Sequence, residues 1–303
     1  MKKQLVRFDW AIKKLLRNKA NFEILEGFFS ELLRQDIKIL NILESEGNKK
    51  SDEDKYNRVD LLSEADGGEL ILIELQVEGQ FDYFHRMLYG SSKLITDFMS
   101  AGFEYRHVRK VISINIVYFD LGQGEDYVYK GVTEFKGIHK NDLLKLSATQ
   151  KKNLPEIVEV SDIYPEYYIL KVNEFDDHAH DTLDEWIYFL KNSEIRQEFS
   201  AKGLKKASEE LDILKLPEEE RSAYERYIED RRCAESSSKT AWMEGHEKGF
   251  ENGHEKGIDQ GIEIGEKKNR FEVARKMMQK GMAIDDVMEI TGLSREEIER
   301  VLP

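Results

Sequence analysis

Asp60, Glu74 and Gln76 are the residues whose types and spacing could do chemistry. Two apolar runs, Leu61-Leu62 and Leu70 to Leu75, flank the turn Ala65-Asp66-Gly67-Gly68, with Asp60 on the first and Glu74 and Gln76 on the second. Asp and Gly tolerate the positive φ that a tight hairpin needs, so the stretch predicts a β-hairpin. Antiparallel pairing would bring Asp60 and Glu74 to neighbouring positions on the sheet, and alternation puts Glu74 and Gln76 on one face. Two close carboxylates repel, and an unpaired buried one is expensive. A divalent cation removes both penalties, and an all-oxygen site suits Mg²⁺ or Mn²⁺. The same spacing also serves a half-exposed strand with Glu74 in solvent, and spacing alone does not choose.

The neighbouring elements must hold these groups in place. "FDWAIKKLLRN" and "NFEILEGFFSELLR" repeat apolar residues at three and four spacings and predict two amphipathic helices. "IKILNIL" (37–43) predicts a strand, the charged "EGNKKSDEDKYN" a loop. "FDYFHRMLYGSSKLITDFMSAGF" predicts a helix with a stripe of Phe84, Met87, Leu88, Leu94, Ile95 and Phe98. "RKVISINIVYFDL" predicts a strand buried on both faces, "DYVYKGVTEF" a strand beside it, and "YYILKV" (167–172) an edge strand. The order implies an α/β fold, a mixed sheet flanked by helices, with a helical C-terminal extension. The expected organisation is a sheet domain over 1–175, a helical region over 176–235, a glycine repeat over 236–270 and a small helical module over 271–303.

Composition narrows the function classes. The 303 residues carry a net charge of −14, which disfavours a passive, wide-surface nucleic-acid binder but permits an enzyme with acidic metal ligands and a local basic cleft. No run approaches the length of a bilayer span. "MKKQLVRFDWAIKKLL" lacks the apolar core and cleavage site of a signal peptide, and Cys233 is the only cysteine, so a cytoplasmic location is expected. His85, His107, His139, His178 and His180 form no recognised metal spacing, and there is no P-loop or nucleophile elbow.

Asp60, the hairpin and Glu74-Leu75-Gln76 resemble the PD-(D/E)XK nuclease core with glutamine in the lysine position. Phe8-Asp9, "RVDLL", "IELQ", "HRMLYGSSKL" and "RKVISINIVYF" together resemble the Rpn family, the recombination-promoting nucleases described as PD-(D/E)XK family transposases. The resemblance covers roughly residues 5 to 150, and the glycine tail also occurs in that family. It implies a restriction-endonuclease-like fold and hydrolysis of DNA phosphodiester bonds with Mg²⁺ or Mn²⁺. Asp60 and Glu74 would be metal ligands, with the Leu75 backbone carbonyl a third and Glu26 an acidic addition from the first helices. Gln76 would orient water or phosphate but supplies no cation. Arg86 and Lys93, in the helix after the hairpin, are the candidates for phosphate or DNA contact. Lys13, Lys14, Arg17, Lys19 and the run from Arg106 to Lys110 could hold the DNA backbone, although such runs more often face solvent.

In the tail, Gly245, Gly249, Gly253, Gly257, Gly261 and Gly265 recur every fourth residue. Such a stripe suits either close packing against a second copy, making a homodimer, or a charged linker. The last segment, "AIDDVMEITGLSREEIERVL", resembles a helix-turn-helix with a Ser294/Glu297 capping box. Its acidic second helix argues for a packing module rather than a DNA reader. The competing function is therefore a nuclease-fold scaffold working through its helical tail.

Overall fold

A computed structural model of the chain describes residues 4–43, 60–99 and 104–300. The charged loop expected over 46–57, the strand start at Val59, the helix end over 100–103 and the last three residues lie outside these. The chain divides into two compact units, Met1–Tyr224 and Glu225–Pro303.

The first unit is built on a mixed six-stranded sheet in the order β1-β2-β3-β4-β6-β5. Its strands are β1 (Ile39–Leu43), β2 (Leu61–Ala65), β3 (Leu70–Gln76), β4 (Val111–Val117), β5 (Val128–Gly131) and β6 (Glu166–Lys171). β1, β2 and β3 pair antiparallel, β3, β4 and β6 run parallel, and β5 returns antiparallel on β6. Every residue of β4 is buried, as its unbroken apolar run requires of a strand covered on both faces.

Two strand expectations need correction. "YYILKV" is not an edge: β6 lies between β4 and β5. β5 pairs with β6 rather than with β4 and is itself the edge. Exposure explains the assignment. β6 keeps Tyr168, Leu170 and Lys171 buried, whereas every residue of β5 is at least partly exposed.

The hairpin turn forms as its residues dictate. The Gly68 amide donates to the Ala65 carbonyl at 3.0 Å, and Gly68 takes φ +90°. A side chain there would be strained.

Helices α1 (Phe8–Lys14), α2 (Phe22–Leu33) and α5 (Thr182–Asn192) share an aromatic cluster in which Phe8 meets Phe28, Trp186 and Phe189 edge-on. Of the helical region expected over 176–235, residues 176–224 contribute to the first unit. The segment that leads into helix α6 (Leu204–Glu210) approaches α2 so closely that a Cβ on Gly27 would fall 2.2 Å from the Lys202 carbonyl. Helix α3 (Tyr83–Asp97) turns Tyr83, Met87, Ser91 and Leu94 inward. The expected apolar stripe is only partly buried: Met87 and Leu94 are, while Phe84 and Leu88 are more than half exposed. The short α4 (Ala148–Asn153) is capped by Ser147 and Gln150.

The glycine repeat lies in a continuous helix, α7 (Glu218–Gln279). Among the described residues, and apart from the helix's own adjacent backbone, no atom lies within 4 Å of a Cβ built on any of its six repeat glycines. In the second unit α8 (Ile284–Thr291) and α9 (Arg295–Glu299) close a small core of Ala274, Val287, Leu293 and Ile298. Gly292 ends α8 at φ +67°, and the Ser294/Glu297 capping box starts α9. Among the described residues, no helix is long and apolar enough to cross a membrane.

Candidate active site

The two carboxylates are set by the register of the hairpin. Leu61 pairs with Ile73, so the register continued by one residue sets Asp60, at the bend before β2, across from Glu74. On the next strand Glu74 pairs with Asn115. Asp60, Glu74 and Asn115 thus form a polar row across the sheet, with Ser113 and Gln76 on the same face.

Asp60 is fixed from two sides. Its Oδ2 accepts a hydrogen bond from the Leu75 amide at 2.8 Å. Its Oδ1 lies 3.0 Å from Lys13 Nζ, at the end of α1. Arg17, just beyond, donates to the Asp60 carbonyl at 2.9 Å. The amide and carbonyl of one strand residue point to the same side. The Leu75 carbonyl therefore faces the β2 side of β3, the side from which its amide meets Asp60.

Glu74 is held differently. It is only 6 % exposed, and its Oε2 is buried with no hydrogen-bond partner. Arg86 Nε lies 3.4 Å from that oxygen, within ion-pair range, while the Arg86 guanidinium donates to Gln80 Oε1 at 3.2 Å. Burial pushes the Glu74 carboxyl above its ordinary pKa, Arg86 opposes this, and the neighbouring charge of Asp60 adds to it. A buried, under-bonded carboxylate beside a second carboxylate is the arrangement a cation relieves.

Tyr83 and Asn115, which sequence reading missed, complete this region. The Tyr83 hydroxyl donates to Asn115 Oδ1 at 3.3 Å. The Asn115 amide donates to Ser113 Oγ and to the Ser113 and Tyr168 carbonyls. Burial, and then the charge of Glu74, push the Tyr83 phenol far above its ordinary pKa, so it stays protonated. One signal was available: Ser113 and Asn115 interrupt the apolar "VISINIV". Tyr83 gave none.

The other expected residues are distributed as follows. Gln76 is partly exposed, and its Nε2 donates to the Glu78 carbonyl at 3.2 Å. Both oxygens of Glu26 are engaged, Oε1 by the Ile39 amide at 3.0 Å and Oε2 by Lys38 at 2.9 Å. Among the described residues no three His, Cys, Asp or Glu side chains gather closely enough to hold a metal, so Glu26 does not join Asp60 and Glu74 in such a group. Lys93 lies 3.6 Å from Asp97 on its own helix. Of the basic run, Arg109 pairs with Glu64 and Lys110 with Glu166.

The donor set fits a divalent cation. Mg²⁺ takes one or two protein carboxylates and completes its shell with water and phosphate oxygens. Asp60, Glu74 and the Leu75 carbonyl are hard oxygen donors of that kind, and Glu74 Oε2 lacks a hydrogen bond.

Comparison with known families gives two matches. Residues 6–241 match the model of the PD-(D/E)XK nuclease family transposases. Residues 267–302 match the C-terminal HTH domain of the Rpn/YhgA-like nuclease family. The second match gives the terminal helices a helix-turn-helix assignment, where the acidity of "REEIE" had favoured a packing module. No curated protein and no solved structure matches the chain.

Proposed function

The chain belongs to the PD-(D/E)XK nuclease family transposases, within the Rpn group, and from that premise we propose that it is a Mg²⁺-dependent DNA endonuclease. The observation that carries this reading is Glu74, buried and under-bonded at Oε2, across the hairpin from Asp60. Asp60, Glu74 and the Leu75 carbonyl would hold the ion, with Mn²⁺ as an alternative. Bound there, the ion supplies Lewis acidity towards the scissile phosphodiester.

The protein's own groups do the rest. The Leu75 amide fixes the Asp60 carboxylate, so its orientation is set before substrate arrives. Arg86, partly exposed, has further guanidinium donors to offer a phosphate beyond those on Glu74 and Gln80. Gln76 orients water or a phosphate oxygen by hydrogen bonding and carries no charge. Lys93 contributes at most a distant cation, since Asp97 already partners it. Glu26 is left out of the ligand set because its carboxylate secures α2 to β1.

The helix-turn-helix assignment supports DNA as the partner, and the cellular role would be recombination or element mobility in the cytoplasm. A second reading is a nuclease-fold scaffold acting through its tail, as a homodimer along α7. It is favoured by the exposed row Trp242, Phe250, Ile258 and Ile262 beside the glycines. Plasmid DNA incubated with Mg²⁺, Mn²⁺ or EDTA separates the two. Cleavage that needs metal and is lost in Asp60→Ala and Glu74→Ala is expected. Absence of cleavage with either metal, or its survival in both variants, would sink the nuclease reading.

A further inference from the structure

Among the described residues, Arg86 and Lys13 reach the two carboxylates and Arg17 reaches the Asp60 backbone, each by a different route. Arg86 divides its donors between Glu74 and Gln80, and Arg17 binds the backbone of Asp60. Lys13 places its ammonium 3.0 Å from Asp60 Oδ1. The other oxygen, Oδ2, is already turned to the Leu75 amide. Oδ1 is therefore the oxygen Asp60 presents to a cation, and Lys13 holds it. The Lys13 side chain is 53 % exposed and that of Asp60 15 %, so the ammonium comes in from the open side of the site.

We propose that Lys13 is a substrate-contacting residue that supplies the positive charge missing from position 76. Without a divalent ion it neutralises Asp60. With the ion bound, it is displaced from Oδ1 and turns to the scissile phosphate. This rests on the reading of Asp60 and Glu74 as metal ligands.

The physical reasons are simple. An ammonium and a divalent ion competing for one carboxylate oxygen repel each other at about 4 Å, even near a protein surface. The four-carbon stem of lysine lets its head move by a few ångströms while the backbone stays still. Helix α1 is anchored by its buried Trp10, Ala11 and Ile12, with Leu16 buried just beyond it. Gln76 cannot take over this role, being neutral and bonded to the Glu78 carbonyl. The adjacent Lys14 is exposed and provides a control of equal charge.

The test is Mn²⁺ binding to the full chain, read by the electron paramagnetic resonance of free Mn²⁺ without DNA. If Lys13 competes for Oδ1, Lys13→Met binds Mn²⁺ about three- to tenfold more tightly than the unaltered protein. Lys13→Arg stays within about twofold, Lys14→Met is unchanged, and Asp60→Ala abolishes binding. In single-turnover cleavage at saturating Mn²⁺, Lys13→Met is at least about tenfold slower, and Lys13→Arg recovers most of the rate. Lys13→Gln serves as a second neutral variant, and thermal melting confirms that each is folded. Unaltered or weaker Mn²⁺ affinity in both neutral variants overturns the proposal, as does unimpaired cleavage. If binding still depends on Asp60 in that case, only the role of Lys13 fails. An unaltered protein that binds no Mn²⁺ overturns the nuclease reading as well.

Discussion

Glu74 and Glu166 are carboxylates on the same sheet, and their surroundings are opposites. Glu166, across from Ile112 on the other face, has Lys110 at 2.9 Å, the Tyr168 hydroxyl at 2.7 Å and Lys130 in direct contact. Burial pushes its carboxyl up, but these partners outweigh it and hold the pKa down to about 2. Among the described residues Glu74 has one ion pair, a buried oxygen without a hydrogen bond and a pKa raised by burial. A fold that can satisfy Glu166 so fully has the means to satisfy a buried acid. It does not do so at Glu74. On the nuclease reading proposed above, the difference separates a carboxylate that holds structure from one kept available for a ligand.

The largest expected effect breaks the comparison in two. Glu74→Gln should lower metal-dependent cleavage about 10²-fold or more, while Glu166→Gln should leave it within about threefold. Plasmid cleavage at fixed Mg²⁺ gives both numbers. If the two variants lose activity equally, the distinction between them fails.

Stability should move the opposite way. Glu166→Gln is expected to destabilise by about 1–2 kcal/mol after allowance for solvent screening. Glu74→Gln, measured without metal at pH 7, is expected to stabilise by about 1 kcal/mol, a rise in Tm of about 2–4 °C. Because burial raises the Glu74 pKa in the folded state, stability is lost as pH climbs from the ordinary carboxylate range to that raised pKa, and glutamine removes the ionisation. A lower Tm in metal-free Glu74→Gln would show that Glu74 is a structural acid after all.

Acid titration sharpens the Glu166 side. Its pKa is depressed in the folded state, so its stabilisation is full above the ordinary carboxylate range and fades as pH falls towards about 2. Denaturant midpoints taken from pH 6 down to pH 2 should fall less steeply in Glu166→Gln than in the unaltered protein. Parallel slopes would remove Glu166 from the account.

The smallest effect expected is at Lys93. With Asp97 as its helical partner, Lys93→Met should change cleavage by less than about threefold and stability by less than about 0.5 kcal/mol. A tenfold loss of DNA affinity would restore it to the phosphate-binding set.

Local patterns made much of this legible. The hairpin, its carboxylates and β4 follow from alternation, turn residues and an unbroken apolar run, each visible within about ten residues. Long-range pairing was not visible. Nothing near "YYILKV" says that Val128–Gly131 will cover its outer side, so β6 was read as the edge. Lys13 and Asp60 are 47 positions apart, and Glu166 gathers partners from β5 and from the segment ahead of β4. Exposed and paired lysines have the same spelling. The buried stripe of α3 was misjudged for a related reason. Its inward face includes Ser91, which gives the Met87 carbonyl its hydrogen, so hydropathy alone placed that face one step out of true.

The turn at Gly68 also acts as a reading frame. β2 is joined to β3 through four residue pairs, while β3 is joined to β4 through seven. A residue inserted between Ala65 and Leu70 would therefore leave β3 in place and make β2 slip. Leu61 would then face Glu74, and Asp60 would be carried off the row without a single site residue having been changed. Loop length at this one turn thus matters to the row as much as the acids themselves, and a variant of the chain can lose that row by insertion alone.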